Sequence, residues 1–293
     1  MKIAYCAGHD RNTPGKRVPD YLDANETREW FLNDRVARLF AEAAKEFGIE
    51  LLRTDDPTGN TFVDIPQRTA KANVWGADLY LDIHHNAGID GGFGGGVVAY
   101  SHPGSQKGAA YRNAIYEAVI SAGGLQGNRS QPLQEKAFDS LRFTDMPAVL
   151  MEYGFMDSRA DAPIILTEQY AKTVAYATMA GIAKAAGLTK PSEEEDFVKA
   201  VQAAIGASVD GIPGPETLSK TPTVSATKNR THPVVAAVQK RLYDLGYRQV
   251  GTADGITGPK FDAAVKAFQK DHDCVVDGEL TAGQKTWRKM LGL

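Results

Sequence analysis

Short apolar runs alternate with longer amphipathic stretches over most of the chain. Three of the apolar runs, residues 2–6, 79–83 and 148–151, are bounded by polar or turn-forming residues. Such runs predict buried parallel strands, and the helical stretches between them predict the crossovers that parallel strands require. The pattern therefore predicts an α/β fold over residues 1–188, with a mostly parallel, twisted sheet flanked by helices.

The longest amphipathic stretch, Glu26 to Phe47, predicts a helix that Asn25 caps and Gly48 ends. Its apolar stripe, followed back at helical spacing, passes through Glu29. A carboxylate on a core-facing stripe is costly unless a positive group pairs with it, and no Lys or Arg lies on that stripe nearby. A metal ion is a sufficient partner, so we prefer Glu29 to Glu26 as a ligand.

Polar residues near Pro191 mark a boundary, after which a helical tail repeats an Asp-Gly turn. Val209–Pro215 matches Ala253–Pro259, and an amphipathic helix with a Val-Gln pair precedes each turn. The pattern predicts a small all-α domain, whose first part looks like the front half of a degenerate copy. The predicted limits are 1–188 for the first domain, 189–196 for a linker, 197–293 for the tail, 197–231 for the degenerate half-copy and 232–293 for a full module.

Three apolar runs lead into residues that can bind a metal or move a proton. His9 follows the first run, His84 follows the second and Glu152 follows the third. Sites in an open α/β sheet form at the carboxyl ends of the strands. Two histidines and a carboxylate with one open position are the layout of a catalytic zinc site, beside which Glu152 can act as acid and base.

Each of these residues also has a plainer interpretation. A lone His after a strand is more often a hydrogen-bonded loop residue, Glu29 can interact with the helix dipole, and Glu152 can be a solvated strand-end acid. The joint pattern is harder to dismiss, because all of these interpretations would have to hold independently. The residues alone indicate zinc-dependent hydrolysis of an amide or ester.

Several motifs of the first 188 residues stand in a specific order and spacing. They are Ala7-Gly8-His9, Glu29-x-x-x-Asn33, Arg68-x-x-x-Ala72-Asn73, Ile83-His84-His85-Asn86 and Pro147 to Met156. In this order they resemble the zinc-dependent N-acetylmuramoyl-L-alanine amidases of the amidase-3 family. The resemblance implies zinc as cofactor, His9, Glu29 and His84 as its ligands, and Glu152 as the catalytic residue.

The implied reaction is hydrolysis of the amide between N-acetylmuramic acid and L-alanine in bacterial peptidoglycan. Asn86 and Arg142 are candidates for positioning the substrate, although Asn86 can equally form a turn and Arg142 can equally be a solvated charge. Two alternative functions remain. One is a wall-binding protein with a silent or autoinhibited hydrolase domain, and the other is a zinc peptidase acting on stem peptides.

The chain departs from the family pattern at three places. Asp10 to Thr13 replace the usual Gly-Gly after the first His, Asp82 replaces a common Ser, and His85 replaces a small residue. Side-chain alternation places Asp82 on the side of His84, where it can orient that ligand. The same alternation predicts His85 as a rim residue, although it can compete as a ligand.

The tail resembles the small three-helix peptidoglycan-binding module of cell-wall hydrolases over Val234 to Leu291. Matching pieces include Val238-Gln239, Asp254 to Pro259, and Phe268-Gln269. The resemblance implies that the tail binds the bacterial wall; a helical docking or dimerisation domain is the alternative.

Composition narrows the classes of molecule that the chain is expected to bind. With 33 Lys and Arg against 36 Asp and Glu, the chain has no basic surplus, so we expect no nucleic-acid partner. No apolar run reaches transmembrane length, so we expect no membrane insertion. The two cysteines, Cys6 and Cys274, fall in different predicted domains and offer neither a disulfide framework nor a zinc pair.

No leader segment precedes the first predicted strand. Together with the resemblance, this predicts an endolysin-like protein that is made in the cytoplasm without a signal peptide. Such a protein acts on the bacterial cell wall after holin-type release.

Overall fold

The computed structural model describes the whole chain, Met1–Leu293, which forms two compact units, Met1–Lys190 and Pro191–Leu293. The division follows the hydrophobic cores, because each unit buries a set of apolar side chains of its own. None of the helices combines the length and the apolar character needed to cross a membrane.

A six-stranded sheet forms the centre of the first unit. Its strands are β1 (Lys2–Ala7), β2 (Glu50–Arg53), β3 (Leu79–Asn86), β4 (Val98–Ser101), β5 (Leu133–Glu135) and β6 (Ala148–Phe155). They lie in the order β2-β1-β3-β6-β4-β5, and every neighbouring pair is parallel except β4 and β6. The predicted mostly parallel sheet is therefore confirmed.

Helices cover both faces of this sheet. They are α1 (Glu29–Lys45), α2 (Ile65–Trp75), α3 (Gln106–Ser121), α4 (Asp139–Arg142), α5 (Ala162–Ile165) and α6 (Glu168–Ala186). Because side chains alternate along a strand, Ile3 and Tyr5 of β1 join the larger core while Ala4 and Cys6 join a smaller core on the other face. Helices α1, α3 and α6 contribute to the larger core, and α2 and α4 contribute to the smaller one.

Helix α1 begins later than the sequence predicts. Asn25 is not its N-cap, because Asp23 accepts hydrogen bonds from the backbone N–H groups of Asn25 and Thr27 and closes a turn there. Glu26 lies in the left-handed region with φ of 45°, and Arg28 precedes the first helical residue without a side-chain cap. The local carboxylate competes with helix formation and delays it to Glu29.

The second unit consists of short helices around one core. They are α7 (Glu193–Ile205), α8 (Pro215–Lys220), α9 (Val234–Asp244), a 3₁₀ turn (Arg248–Val250), α10 (Pro259–Asp271) and α11 (Lys285–Met290). Helix α7 starts within the segment predicted as linker, because the Ser192 hydroxyl caps it by accepting from the backbone N–H of Glu195. Val198 and Val201 of α7 belong to the same core as Val238 and Trp287.

Three buried glutamines hold the three Asp-Gly turns of this unit in the same way. The Gln269 amide donates to Asp277 Oδ1 at 2.8 Å and accepts from the backbone N–H of Gly278 at 2.9 Å. Gln239 does the same for the turn at Asp254–Gly255, and Gln202 does the same for the turn at Asp210–Gly211. The repeated turns in the sequence therefore correspond to a repeated hydrogen-bond network.

The degenerate half-copy matches the back half of the module, so its interpretation as a front half is wrong. Gln202 stands eight residues before Asp210 and also donates to the Thr217 hydroxyl. Gln269 stands eight residues before Asp277 and donates to the Thr286 hydroxyl. In the front half of the module the corresponding glutamine and aspartate are 15 residues apart.

Candidate active site

His9 is positioned by the turn that follows β1. Its φ of 66° lies in the left-handed region, and the preceding Gly8 donates its N–H to the Ile83 carbonyl at 2.8 Å. The buried Arg68 of α2 donates to the backbone carbonyls of Ala7 and His9, each at 3.0 Å. A guanidinium suits this task, because its rigid fork can bind two carbonyl oxygens at once.

Glu29 is the first residue of α1 and is fully buried. Asn33, one turn later, donates from Nδ2 to Glu29 Oε1 at 3.3 Å and to the Gly8 carbonyl at 3.1 Å. Lys16 Nζ lies 3.8 Å from Glu29 Oε2. The helical stripe carries no positive side chain near this carboxylate, as the sequence indicates, but the loop after β1 brings Lys16 close to it.

His84 lies near the end of β3 and faces Glu29. Its Nδ1 is 3.0 Å from Glu29 Oε1, and its Nε2 is 3.2 Å from Asp82 Oδ1. The ring packs directly against the backbone of Gly8, where an added Cβ would lie only 2.0 Å from His84 Cε1. Glycine is required at position 8 for this reason.

His9, Glu29 and His84 each point one ligand atom toward a common place, and these atoms all lie within 4.8 Å of one another. Glu29 Oε2 is buried and has no hydrogen-bond partner, although His9 Nε2 lies 3.3 Å away. Burial alone raises the pKa of Glu29, but the hydrogen bond with His84 and the nearby His9 ring outweigh it and bring that pKa well below its usual range. Two imidazole nitrogens and an ionised, incompletely satisfied carboxylate are a donor set that fits a divalent metal.

The site lies where the sheet topology places it. In the sheet order β2-β1-β3, the strand that follows β1 in the chain lies on one side of it and the next strand lies on its other side. The crevice at such a switch point opens at the carboxyl ends of the strands, where His9 and His84 stand. Helix α1 follows β1 and brings Glu29 to the same crevice.

Asp82 supports His84 from behind, on the side that alternation predicts. It is buried, and burial alone raises its pKa, but the His84 charge and hydrogen bonds from His84, Cys6 and Ser140 bring that pKa far below its usual range. The Cys6 thiol donates to Asp82 Oδ1 at 2.9 Å and also contacts the Tyr80 hydroxyl at 3.2 Å. In the neutral ring that binds a metal, an acceptor at His84 Nε2 favours the tautomer that leaves a lone pair on Nδ1.

Glu152 of β6 pairs in register with His84 of the neighbouring strand. Because paired residues of parallel strands point to the same face, both side chains face the crevice. Glu152 Oε2 is buried without a hydrogen-bond partner. Burial raises the pKa of Glu152 to about 8, with the His84 charge opposing the shift and the Glu29 charge adding to it. A carboxyl group with such a pKa can hold and release a proton near neutral pH.

His85 is buried and is not a rim residue, so that sequence-based expectation is wrong. Alternation directs it away from the crevice, as expected, but α1 covers that face of the strand. His85 Nδ1 lies 2.8 Å from Asn33 Oδ1, and burial lowers the pKa of the ring to about 3. His85 is not a member of the metal-ligating group.

The two candidates for substrate positioning differ in location. Asn86 ends β3 next to the crevice, and its Oδ1 accepts from the backbone N–H of Ala87. Arg142 lies in α4, is exposed, pairs with Asp139 at 2.8 Å and lies over the Phe143 ring. The contacts of Arg142 do not include the cluster, and a role for either residue in substrate binding stays a prediction.

Sequence reasoning missed what Lys16, Asn33 and Arg68 do at this site. Asn33 and Arg68 stand within the quoted motifs, so the motif spacing was a usable signal for both. Nothing in the local pattern singles out Lys16, because its proximity to Glu29 depends on the path of the loop after β1.

Comparison with known proteins agrees with this geometry. The family model described as N-acetylmuramoyl-L-alanine amidase (Amidase_3) matches residues 3–184. The chain belongs to this amidase family. Its activity is hydrolysis of an amide bond of peptidoglycan, as the resemblance implied. A family of peptidoglycan binding domains (PG_binding_1) matches residues 231–290, so the resemblance of the tail is confirmed as well.

Individual relatives point the same way. The chain is 36% identical over 191 residues to the N-acetylmuramoyl-L-alanine amidase CwlM of Bacillus licheniformis, covering 65% of this chain and 70% of that relative. It is 32% identical over 154 residues to the endolysin of Bacillus phage SPP1, covering 50% of this chain and 53% of that relative. The catalytic domain of CwlV, an amidase from Bacillus (Paenibacillus) polymyxa var. colistinus, shares the fold. Its TM-score is 0.56 at 21% identity, covering 64% of this chain and 99% of that domain.

Proposed function

We propose that this amidase holds a zinc ion with His9, Glu29 and His84. We further propose that it cleaves the amide bond between N-acetylmuramic acid and L-alanine with Glu152 as its acid and base. The observation that carries the proposal is the convergence of three ligand atoms within 4.8 Å around a buried carboxylate oxygen that lacks a hydrogen-bond partner.

Different side chains have different roles in the proposed reaction. A zinc ion, when bound, supplies Lewis acidity toward a carbonyl and makes water a nucleophile at neutral pH. Asp82 keeps His84 in the tautomer that presents Nδ1, and Arg68 holds the backbone that carries His9. One Glu152 carboxylate oxygen accepts a proton from the attacking water and then delivers it to the leaving amide nitrogen.

The charge balance supports these roles. Without a metal, the raised pKa of about 8 leaves Glu152 mostly protonated at neutral pH. A divalent cation nearby favours the ionised form, which is the form that accepts a proton. The same group can therefore be a base before bond cleavage and an acid afterwards.

We propose that the second unit attaches the enzyme to peptidoglycan, and that the chain acts as an endolysin-type lysin on the bacterial cell wall. The peptidoglycan-binding family match and the likeness to a phage endolysin support this. Holin-type release from the cytoplasm is part of the proposal.

Digestion of purified sacculi tests the function. The amidase frees stem peptides with a new L-alanine amino terminus and exposes no reducing sugar ends, whereas a peptidase exposes other amino groups and a silent domain exposes none. We expect Glu152→Gln to retain one zinc per chain, measured by mass spectrometry of the metal, and to lose at least about 100-fold in rate. Unchanged turnover in that variant contradicts the role of Glu152.

A further inference from the structure

Arg129 presents an unpaired guanidinium near the active site. It lies in the loop between α3 and β5, and its guanidinium sits over the Phe155 ring, 4.5 Å from the ring centre. The side chain is exposed and makes neither a hydrogen bond nor an ion pair. A guanidinium that stacks on an aromatic ring keeps its in-plane N–H groups free for a planar anion.

The glycine run before β4 holds this loop in place. The Leu125 carbonyl accepts from the backbone N–H of Val97 at 2.8 Å, and Asn128 Oδ1 accepts from that of Gly95 at 3.4 Å. A Cβ on Gly127 would lie 1.6 Å from the Gly95 carbonyl oxygen, so the close approach needs glycine at position 127. These contacts fix the loop that carries Arg129 against the glycine-rich segment, residues 91–96.

The residues around Arg129 lie on the side of the site that contains Glu152. Phe155, under the guanidinium, pairs in register with Asn86, two residues beyond His84. Burial raises the pKa of Tyr100, and the Glu152 charge adds to this, while a hydrogen bond from Asn86 and the charge of Arg129 oppose it. Glu152, Asn86 and Arg129 therefore each lie close enough to Tyr100 to act on it.

We propose that Arg129 binds a carboxylate on the stem-peptide side of the scissile amide. This rests on the proposed function, in which Glu152 serves the leaving nitrogen, so groups next to Glu152 face the leaving peptide. The lactyl carboxyl of the sugar is consumed in the amide itself, which leaves the peptide as the source of a free carboxylate. A bidentate pair with a stacked arginine recognises that group by charge and by shape.

Two synthetic N-acetylmuramoyl peptides test this, differing only in whether the acidic residue after L-alanine carries a carboxylate or a carboxamide. We expect Arg129→Gln to raise KM for the carboxylate substrate about tenfold, or about 1.4 kcal/mol, with kcat within about twofold. KM for the carboxamide substrate stays unchanged, and Arg129→Lys is intermediate. Lys172→Ala, which removes an exposed cation over the Tyr176 ring, is the matched control and changes neither KM.

The affinity of both peptides is also measured by calorimetry, which needs no turnover. The two proteins compared are the Glu152→Gln variant and the double variant Glu152→Gln with Arg129→Gln. A tenfold loss of affinity confined to the carboxylate peptide supports the assignment. Equal effects of Arg129→Gln on both peptides, or no effect on either, overturn it. If the wild type cleaves neither peptide, the proposed function fails, while the binding contrast still decides the role of Arg129.

Discussion

Substitution of Gly8 by alanine tests whether the backbone contact at His84 defines the metal site. The added Cβ would lie 2.0 Å from His84 Cε1, 2.3 Å from Nε2 and 2.4 Å from Nδ1. Ordinary van der Waals contact begins near 3.4 Å, so the ring has to retreat by about 1.4 Å. Metal–ligand distances tolerate changes of only about 0.2 Å, so His84 cannot keep its place as a ligand.

The expected result is a selective loss of metal binding. Changes in groups that merely support ligands typically cost about 10–100-fold in metal affinity, so displacement of a ligand costs at least about 100-fold, or about 2.8 kcal/mol. Zinc affinity is measured by competition with a chromogenic chelator, and folding is followed by circular dichroism. Gly214→Ala is the control, because that glycine has φ of −144° and open space around its Cβ direction. Wild-type zinc affinity in Gly8→Ala, with the fold intact, refutes the assignment of His84 as a ligand in this geometry.

Two further changes test the surroundings of the site and the tail. Asp82→Asn removes the negative charge behind His84 Nε2 and should weaken zinc binding about tenfold in the same competition assay; unchanged affinity would show that the carboxylate does not support the ligand. Gln269→Leu leaves the backbone N–H groups of Asp277 and Gly278 without their acceptor, so we expect the second unit to lose at least about 2 kcal/mol, measured by urea unfolding. A loss below about 0.5 kcal/mol would mean that water replaces the glutamine.

Hydrophobic periodicity predicted the long, buried strands and helices around which the rest of the chain packs. Strands β1, β3 and β6 and most of α1 are buried, and burial leaves a direct trace in the local pattern. Shorter elements were missed, among them β5 and α4, since three or four residues carry too little periodicity to distinguish them from loops. Their conformation depends on partners such as β4, which pairs with β5.

For the candidate site too, the local sequence predicted some features and could not predict others. Motif order along the chain was enough to nominate His9, Glu29 and His84, because a ligand must be a particular residue type at a strand or helix end. The start of α1 was misplaced, since the Asp23 turn competes locally with the helix. His85 was wrongly placed at the rim, because alternation gives the face of a strand and says nothing about what covers that face.

The sequence by itself determined the α/β class, the repeated turns of the tail and the residue types of the candidate metal site, because these depend on periodicity and on spacing along the chain. Only the tertiary structure decided that Lys16 approaches Glu29, that the Cys6 thiol donates to Asp82, and that Arg129 lies over the Phe155 ring. Those contacts join residues from different elements or from loops. Their distances follow from how the sheet, the helices and the glycine-rich loops pack together, and no local pattern encodes them.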